Sequence, residues 1–472
     1  MKDKRDETRA RWLETLAKHR EALSGPDSPE YWCRRLDTAS RDEIISIQNE
    51  KLAVLTPFLY ENSGFYRRRF DRLGLAPTDI RTVEDLPKWP VVDKAEMGED
   101  AAQHPPFGTY QTIGEEEWRQ RGWMLFQTSG STGAPRPFRY THIDRGYWEW
   151  TDARALYAMG IRNTDTVFPL VGFGPHVWMW GVVSALLRMG VAIIPGGGLD
   201  AQARARAIER YRPTVVACTP SYALHLGRTM QKLKLDPSAS SVSTLFVAGE
   251  STAPRTRSQL RDLWGSRVVE FYGCTEAAPN AGGFSCPYST REDEFRFTHL
   301  LEDVQIWELV DDEGFAPVGP GKQGLTVCTA LCSESSPQLR FLVGDYTVFD
   351  ETTCECGRAH VRALGGFSGR ADDVINLRGV KFFPSQIEEA VRAVPGVGDE
   401  FEIVLRNNEE GLSVMAVRIE HADHGAPEAV AERASRELRS HCEVRADVEV
   451  LAPDTLPKTQ FKAKRVRDER TL

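Results

Sequence analysis

Between residues 124 and 275 short apolar runs alternate with helix-like stretches, and this alternation narrows the fold more than any other feature of the chain. The runs Thr166–Leu170, Val191–Pro195, Thr214–Cys218, Thr244–Val247 and Val268–Phe271 are too short for helices. Stretches between them, such as Ala201–Arg210 and Tyr222–Leu233, carry helical spacing. Strands that alternate with helices predict a largely parallel sheet covered on both faces. Residues 1–120 read as mainly helical, with breaks at Pro87 to Pro90 and His104 to Pro106. Trp12, Leu13, Leu16 and Leu23 suit an N-terminal helix with one buried side, not the apolar core of a secretory signal. Residues 295–350 look like short strands with turns at Glu313-Gly314 and Pro320-Gly321, an antiparallel or barrel-like texture. After about residue 370 the texture changes again. Ile387 to Val391 and Glu428–Leu438 read as helices, Phe401–Leu405 and Leu412–Arg418 as strands. The expected fold is therefore α/β. A large N-terminal domain, residues 1–371, has mainly parallel sheets and a barrel-like subdomain. A small α+β domain, residues 372–472, follows it.

The stretch Thr128-Ser129-Gly130-Ser131-Thr132-Gly133-Ala134-Pro135-Arg136 holds two glycines, four hydroxyls and a cation. Glycines let backbone N–H groups close around a phosphate, and hydroxyls add rotating donors. No Gly-Lys-Ser/Thr follows either glycine, so this is not the phosphate loop of a P-loop NTPase. Phe271-Tyr272-Gly273-Cys274-Thr275-Glu276 ends a predicted strand, where open α/β sheets bind ligands. There Glu276 suits Mg2+ and Tyr272 offers a flat face to an adenine. Asp345, in Val343-Gly344-Asp345-Tyr346, suits a ribose diol, since one carboxylate accepts from both hydroxyls. Further on come Gly369-Arg370-Ala371-Asp372-Asp373, Pro384-Ser385-Gln386-Ile387-Glu388 and Leu456-Pro457-Lys458-Thr459-Gln460-Phe461-Lys462-Ala463-Lys464-Arg465.

Together, in this order, these motifs resemble the adenylate-forming superfamily of acyl-CoA synthetases, adenylation domains and luciferases, from about residue 30 to the end. Thr219-Pro220-Ser221-Tyr222-Ala223-Leu224, Arg378 to Glu388 and Cys354-Glu355-Cys356-Gly357-Arg358 look like the phenylacetate–CoA ligase branch. The resemblance implies a two-step, AMP-forming reaction. A carboxylate attacks the α-phosphate of ATP, and a thiol then displaces AMP. It implies that Thr128, Ser129, Gly130, Ser131, Thr132 and Gly133 hold the β- and γ-phosphates, and that Glu276 holds Mg2+ beside Gly273 and Thr275. Asp345 and Arg370 would fix the ribose, and Gly249 and Glu250 would lie near the adenine. Lys462 would bridge the carboxylate and the α-phosphate, a role suited to a compact charge on a long stem. Two positions depart from the pattern. Arg136 stands where relatives often have Lys, and Phe461 where they have Gly; Lys458 and Lys464 are alternatives to Lys462. The resemblance implies that Asp372, between two textures, is the hinge about which the small C-terminal domain is mobile, and a turn cap is the other reading.

In the resembled branch Gly172-Phe173-Gly174-Pro175-His176-Val177-Trp178-Met179-Trp180 lines the acyl pocket. Glycines beside aromatics suit a flat ring. Phe173, His176, Trp178, Tyr222 and Ala248 are the candidate substrate residues for a small aromatic carboxylic acid, although Trp178 and Trp180 read equally as core. Cys354-x-Cys356 resembles half of a zinc knuckle. Some branch members pair it with a Cys and a His, here Cys286 and His299, to bind a structural Zn2+; His360 competes as a ligand. The implied cofactors are ATP, Mg2+ and coenzyme A. A carrier-protein pantetheine or an amine is an alternative acceptor, and a non-catalytic nucleotide-binding protein is the alternative of another class.

A net charge of −9 gives no general attraction to nucleic acid or anionic lipid. No apolar run approaches the ~20 residues that span a bilayer. Nine scattered cysteines argue against a disulfide framework, with Cys33, Cys218, Cys328 and Cys442 read as buried thiols. The expected compartment is the cytoplasm. The resemblance leaves a homodimer open.

Overall fold

A computed structural model describes residues 2–20, 25–128, 136–277, 282–291, 294–319, 321–377, 380–408, 413–422, 426–442, 446–457 and 465–470. Its main sheet runs, edge to edge, Gln305–Val310, Gln323–Ala330, Phe341–Asp350, Arg362–Arg370, Phe297–Leu300, Gly283–Phe284, Arg267–Tyr272, Thr244–Ala248, Val215–Cys218, Thr166–Pro169, Ala192–Ile193. From Arg267–Tyr272 to Ala192–Ile193 the strands are parallel, as the alternation predicts. The strands of residues 295–350 are antiparallel and hydrogen-bond into this same sheet. Phe297–Leu300 joins them, pairing with Gly283–Phe284 on one side and Arg362–Arg370 on the other. Parallel pairing gives way to antiparallel pairing where Arg267–Tyr272 meets Gly283–Phe284. The Tyr272–Glu276 motif leaves the sheet at that change of direction.

Short turns hold the carboxyl ends of the parallel strands at one edge. Thr219 accepts from the Tyr222 N–H and Pro220 sits in the first turn, so the helix Pro220–Lys232 starts directly after Val215–Cys218. The helix Pro254–Trp264 ends on Gly265 at φ 62°, a left-handed position that glycine reaches without strain. Along Thr244–Ala248, Phe246 and Ala248 enter one core with Trp148, Trp178 and Phe271. Leu245 and Val247 enter another with Phe168, Tyr222 and Leu263. This is the two-residue alternation of a strand buried on both faces. Each large side chain contributes about 1.5–3 kcal/mol by leaving water, so both layers hold the sheet.

The N-terminal helix Lys2–Lys18 buries Trp12 and Leu16 as expected; Leu23 lies outside the described residues. A buried ion cluster ties this layer to the sheet. Arg154, on the helix His142–Ala158, bonds Asp37 at 2.9 Å and Asp303 at 2.8 Å. All three side chains are excluded from water, and such a cluster is stable only while its charges stay paired.

A separate C-terminal domain has its own core of Ile387, Phe401, Ile403, Val417, Val430 and Leu438. Its sheet runs Asp447–Leu451, Ser413–His421, Val397–Asn407, Val466–Asp468, with helices Pro384–Arg392 and Pro427–Cys442. The helix Pro384–Arg392 docks on Pro254–Trp264. The Thr256 hydroxyl donates to Glu388 at 2.6 Å, and Arg255 meets Glu389 through its backbone N–H at 3.0 Å and its Nε at 3.1 Å. No helix among the described residues is long and apolar enough to cross a membrane.

Candidate active site

The hydroxyl- and glycine-rich loop springs from a hairpin of Trp123–Gln127 and Pro137–Thr141, paired through Gln127 and Pro137. Thr128 and Arg136 close its base. The Thr128 N–H donates to the Arg136 carbonyl at 3.2 Å, and the Arg136 N–H donates to the Thr128 hydroxyl at 3.1 Å. Ser129, Gly130, Ser131, Thr132 and Gly133 lie outside the described residues, as do Lys458, Phe461, Lys462 and Lys464. From the loop's base Arg136 reaches Glu276, with Nη2 at 2.9 Å from Oε1. Both side chains are about one-tenth exposed, at 11% and 9%. The backbone around Glu276 is anchored on each side. Thr275 O accepts from the Tyr140 hydroxyl and Ala277 O from Gln305 Nε2.

Four residues earlier, the Tyr272 hydroxyl donates to Asp345 Oδ2 at 2.5 Å. Asp345 lies opposite Arg370 across the paired strands Phe341–Asp350 and Arg362–Arg370. Burial raises the Asp345 carboxyl above its ordinary value, with Arg370 and the Tyr272 hydroxyl working against that rise. Arg370 and Lys94 both bond Asp372 Oδ2 at 2.9 Å. Burial opposes the Asp372 charge, but these two cations hold its carboxyl below the ordinary range. Contacts thus join Thr128, Arg136 and Glu276 in one group and Tyr272, Asp345, Arg370 and Asp372 in another, and the short chain segment from Tyr272 to Glu276 connects the two.

Two residues and one pairing at this site escape the sequence reading. Phe367 stacks on Tyr272 with centroids 3.5 Å apart and planes at 15°, so one face of that ring is taken. Lys94, more than 270 positions from Asp372, is its ion-pair partner. Arg136 was visible as the loop's cation, but nothing in the sequence links it to Glu276. Gly249 sits at φ 86°, just past Thr244–Ala248, and Glu250 accepts from the Ser221 hydroxyl at 3.0 Å. This turn lies beside the Tyr272 strand, since Ala248 pairs with Phe271. Gly273 is exposed at the start of the following turn.

The candidate acid pocket adjoins the loop: Gln127 donates its N–H to the Pro175 carbonyl at 2.7 Å. His176 begins the helix Val177–Met189 and packs over Gly174, where a Cβ would come within 2.5 Å of its ring. Phe173 is exposed and meets Trp180 edge-on at 4.8 Å. Trp178 is buried, edge-on to Phe246 at 6.2 Å, in the core that also holds Ala248. Tyr222 is placed apart from them. It lies in the core on the sheet's other face, with the Arg204 guanidinium 4.9 Å from its ring centre.

A second cluster brings together Cys286, His299, Cys354 and Cys356, whose ligand atoms all lie within 4.8 Å of one another. The Cys286 and Cys354 sulfurs are 3.9 Å apart, and Cys356 Sγ is 3.4 Å from His299 Nε2. A tetrahedral zinc with bonds of about 2.3 Å to sulfur and 2.05 Å to nitrogen requires edges of about 3.8 and 3.6 Å. The donor set therefore fits Zn2+. His299 Nδ1 faces the His360 carbonyl at 3.3 Å, the outer contact that leaves Nε2 for a metal. Hydrogen bonds from the other two thiols and from His299 push Cys356 far below the ordinary thiol value. His360, the competing ligand, is engaged elsewhere: its Nδ1 accepts from the Glu302 N–H and its Nε2 faces the Leu36 carbonyl at 3.1 Å. Glu276 supplies a carboxylate beside Arg136 at the base of the loop, a hard oxygen donor of the kind Mg2+ takes alongside phosphate oxygens.

The AMP-binding enzyme family matches residues 78–329, and the AMP-binding enzyme C-terminal domain family matches residues 379–470. A phenylacetate–coenzyme A ligase of Thermus thermophilus is 30% identical over 454 residues, which cover 92% of this chain and 98% of that protein. The phenylacetate–coenzyme A ligase of Escherichia coli is 27% identical over 93% of this chain and 97% of its own length. Among solved structures, a 2-hydroxyisobutyryl-CoA ligase in its postadenylation state, in complex with an adenylate, matches with a TM-score of 0.85 at 28% identity. The match covers 94% of this chain and 93% of that one. In its thioesterification state, with adenylate and CoA, the same enzyme matches with a TM-score of 0.70 at 28% identity, over 95% and 94% of the two chains.

Proposed function

The chain belongs to the AMP-binding, adenylate-forming enzyme family, in its phenylacetate–CoA ligase-like branch, and from that premise we propose that it joins an aromatic carboxylic acid to coenzyme A through an acyl-adenylate. The observation that carries this reading is that the 272–276 segment ties the Thr128–Arg136–Glu276 contacts to the Tyr272–Asp345 contact. It supports reading the base of the polyphosphate loop, a hard-metal carboxylate and a ribose carboxylate as parts of one nucleotide site.

The acid carboxylate attacks the α-phosphorus of ATP, the bond to the β-phosphate oxygen breaks, and pyrophosphate leaves. The difficulty is bringing two anions together, so positioning and charge do most of the work. Thr128 and the 129–133 segment hold the β- and γ-phosphates. Asp345 accepts from the ribose hydroxyls, with Arg370 fixing the carboxylate. Gly249 and Glu250 border the base, and Tyr272 keeps for it the face that Phe367 does not cover. Glu276, beside Thr275, would hold Mg2+, which when bound would supply positive charge to the polyphosphate. Lys462 bridges the incoming carboxylate and the α-phosphate. In the second step the CoA thiolate attacks the acyl carbonyl and AMP leaves with the bonding pair.

Phe173, His176, Trp178 and Ala248 form the acid pocket, where rings meeting edge-on favour a flat aromatic substrate over a small aliphatic one. Tyr222 would act on this pocket only through the sheet. The boundary between the domains falls at 371/372, with Asp372 as the hinge. The closer match to the postadenylation state supports reading the docked C-terminal domain as the adenylation arrangement. Cys286, His299, Cys354 and Cys356 hold a structural zinc, since four protein ligands leave no position open for chemistry.

The test is ATP–pyrophosphate exchange over a panel of carboxylic acids, then AMP release with and without coenzyme A. Exchange with arylacetic or benzoic acids, and CoA-dependent AMP release, is the expected result. Exchange confined to short hydroxy acids would overturn the aromatic assignment. AMP release unaffected by CoA would point to a carrier protein or an amine as acceptor.

A further inference from the structure

Arg136 and Glu276 are 140 positions apart in sequence, yet they form an ion pair at the centre of the proposed nucleotide site. Neither partner is free to drift. Arg136 is held by two backbone–Thr128 hydrogen bonds at the base of the loop, and Glu276 by the anchored carbonyls of Thr275 and Ala277. The Nε of Arg136 is buried and has no hydrogen-bond partner among the described residues. The guanidinium is thus only partly satisfied by the protein, at the point where an incoming polyphosphate would offer it anionic oxygens. Guanidinium groups pair strongly and directionally with phosphate. A divalent cation on Glu276 Oε1 would in turn sit beside this positive charge and be repelled by it.

We propose that Arg136 is a resident counter-ion that blocks Glu276 from binding a divalent cation until the phosphates of the nucleotide draw the guanidinium away. Arg136 is then a positioning residue that makes metal binding depend on nucleotide. The inference rests on the proposed adenylation site, but it makes a separate statement about the free enzyme. A neutral side chain at position 136 would leave Glu276 open to metal without any nucleotide.

The test uses full-length protein and Mn2+ as the probe, with free Mn2+ read by its paramagnetic resonance signal. Without nucleotide, wild type and Arg136→Lys should bind Mn2+ weakly. Arg136→Met should gain a site at least about tenfold tighter, and Arg136→Met/Glu276→Gln should lose that gain. With ATP present, wild type should remove more free Mn2+ than the same concentration of ATP does without protein. If Arg136→Met fails to fold, judged by circular dichroism, Arg136→Gln takes its place. No gain in the folded neutral variant, or a gain that survives Glu276→Gln, overturns the proposal. Failure of wild type to bind any Mn2+ beyond that bound by ATP alone would instead overturn the adenylation site on which it rests.

Discussion

The docked position of the C-terminal domain should be loosened by removing surface charge. Arg255 pairs with Glu389 at 3.1 Å, with side chains 47% and 24% exposed, and Lys232 pairs with Asp454 at 3.1 Å, at 66% and 55%. Exposed pairs of this kind contribute about 0.2–1 kcal/mol each. The double variant Glu389→Gln/Asp454→Asn therefore weakens docking by about 1 kcal/mol, roughly a fivefold change in the balance between domain arrangements. The Thr256 contact with Glu388 and the Arg392 contact with Gln259 remain, so the interface stays specific. The assay is single-turnover kinetics of each half-reaction: pyrophosphate release for adenylation, and thioester formation from preformed adenylate with CoA. Thioester formation should quicken by up to about fivefold while adenylation holds or slows. In wild type, raising salt from ~20 mM to ~0.5 M should reproduce part of the effect, because screening weakens exposed pairs first. No change in either half-reaction, or an equal fall in both, would refute the reasoning.

Three further outcomes are expected. Asp345→Asn should raise the KM for ATP by tenfold to a hundredfold, since a hydrogen bond to a charged group contributes about 1.5–3 kcal/mol; an unchanged KM in nucleotide-titrated exchange would remove Asp345 from the ribose site. Protein purified without added zinc should carry about one equivalent by elemental analysis, and Cys356→Ser should lose it together with several degrees of Tm. Acid should unfold the protein through the buried cluster. Burial opposes the Asp303 charge, but Arg154 overrides it and holds the carboxyl down to about 2. This group's contribution, about 2 kcal/mol, is full above the ordinary aspartate range near 4 and is lost as pH falls through 2. Asp303→Asn should cost about 3–5 kcal/mol at neutral pH in denaturant titrations and flatten the acid dependence.

Much of the fold was legible because strand and helix periods are local properties. The parallel strands from Thr166–Pro169 to Arg267–Tyr272 stand where the apolar runs predict. How the later strands connect was not legible, because His299 pairs with both Phe284 and Arg362 across long gaps that no local pattern records. The site shows the same division. Glu276 was readable as chemistry at a strand end, Asp345 as an acid beside an apolar run (it lies within the strand Phe341–Asp350) and Arg370 through the family resemblance, whereas Lys94, Phe367 and the Arg136–Glu276 pair arise only from tertiary approach. Tyr222 illustrates a further limit. A helix period marks a buried stripe, but which face of the sheet receives it depends on packing against Leu263 and Phe168. At the thiol cluster the ligand types were visible, and only the fold separates His299 from the fully bonded His360.

Hydrogen–deuterium exchange of the full-length protein with and without ATP tests the convergence on one nucleotide most directly. The peptides spanning 123–128, 136–141, 267–277 and 341–350 should all gain protection over the same ATP concentration range. Protection confined to one of them, or appearing at unrelated concentrations, would contradict a shared cleft.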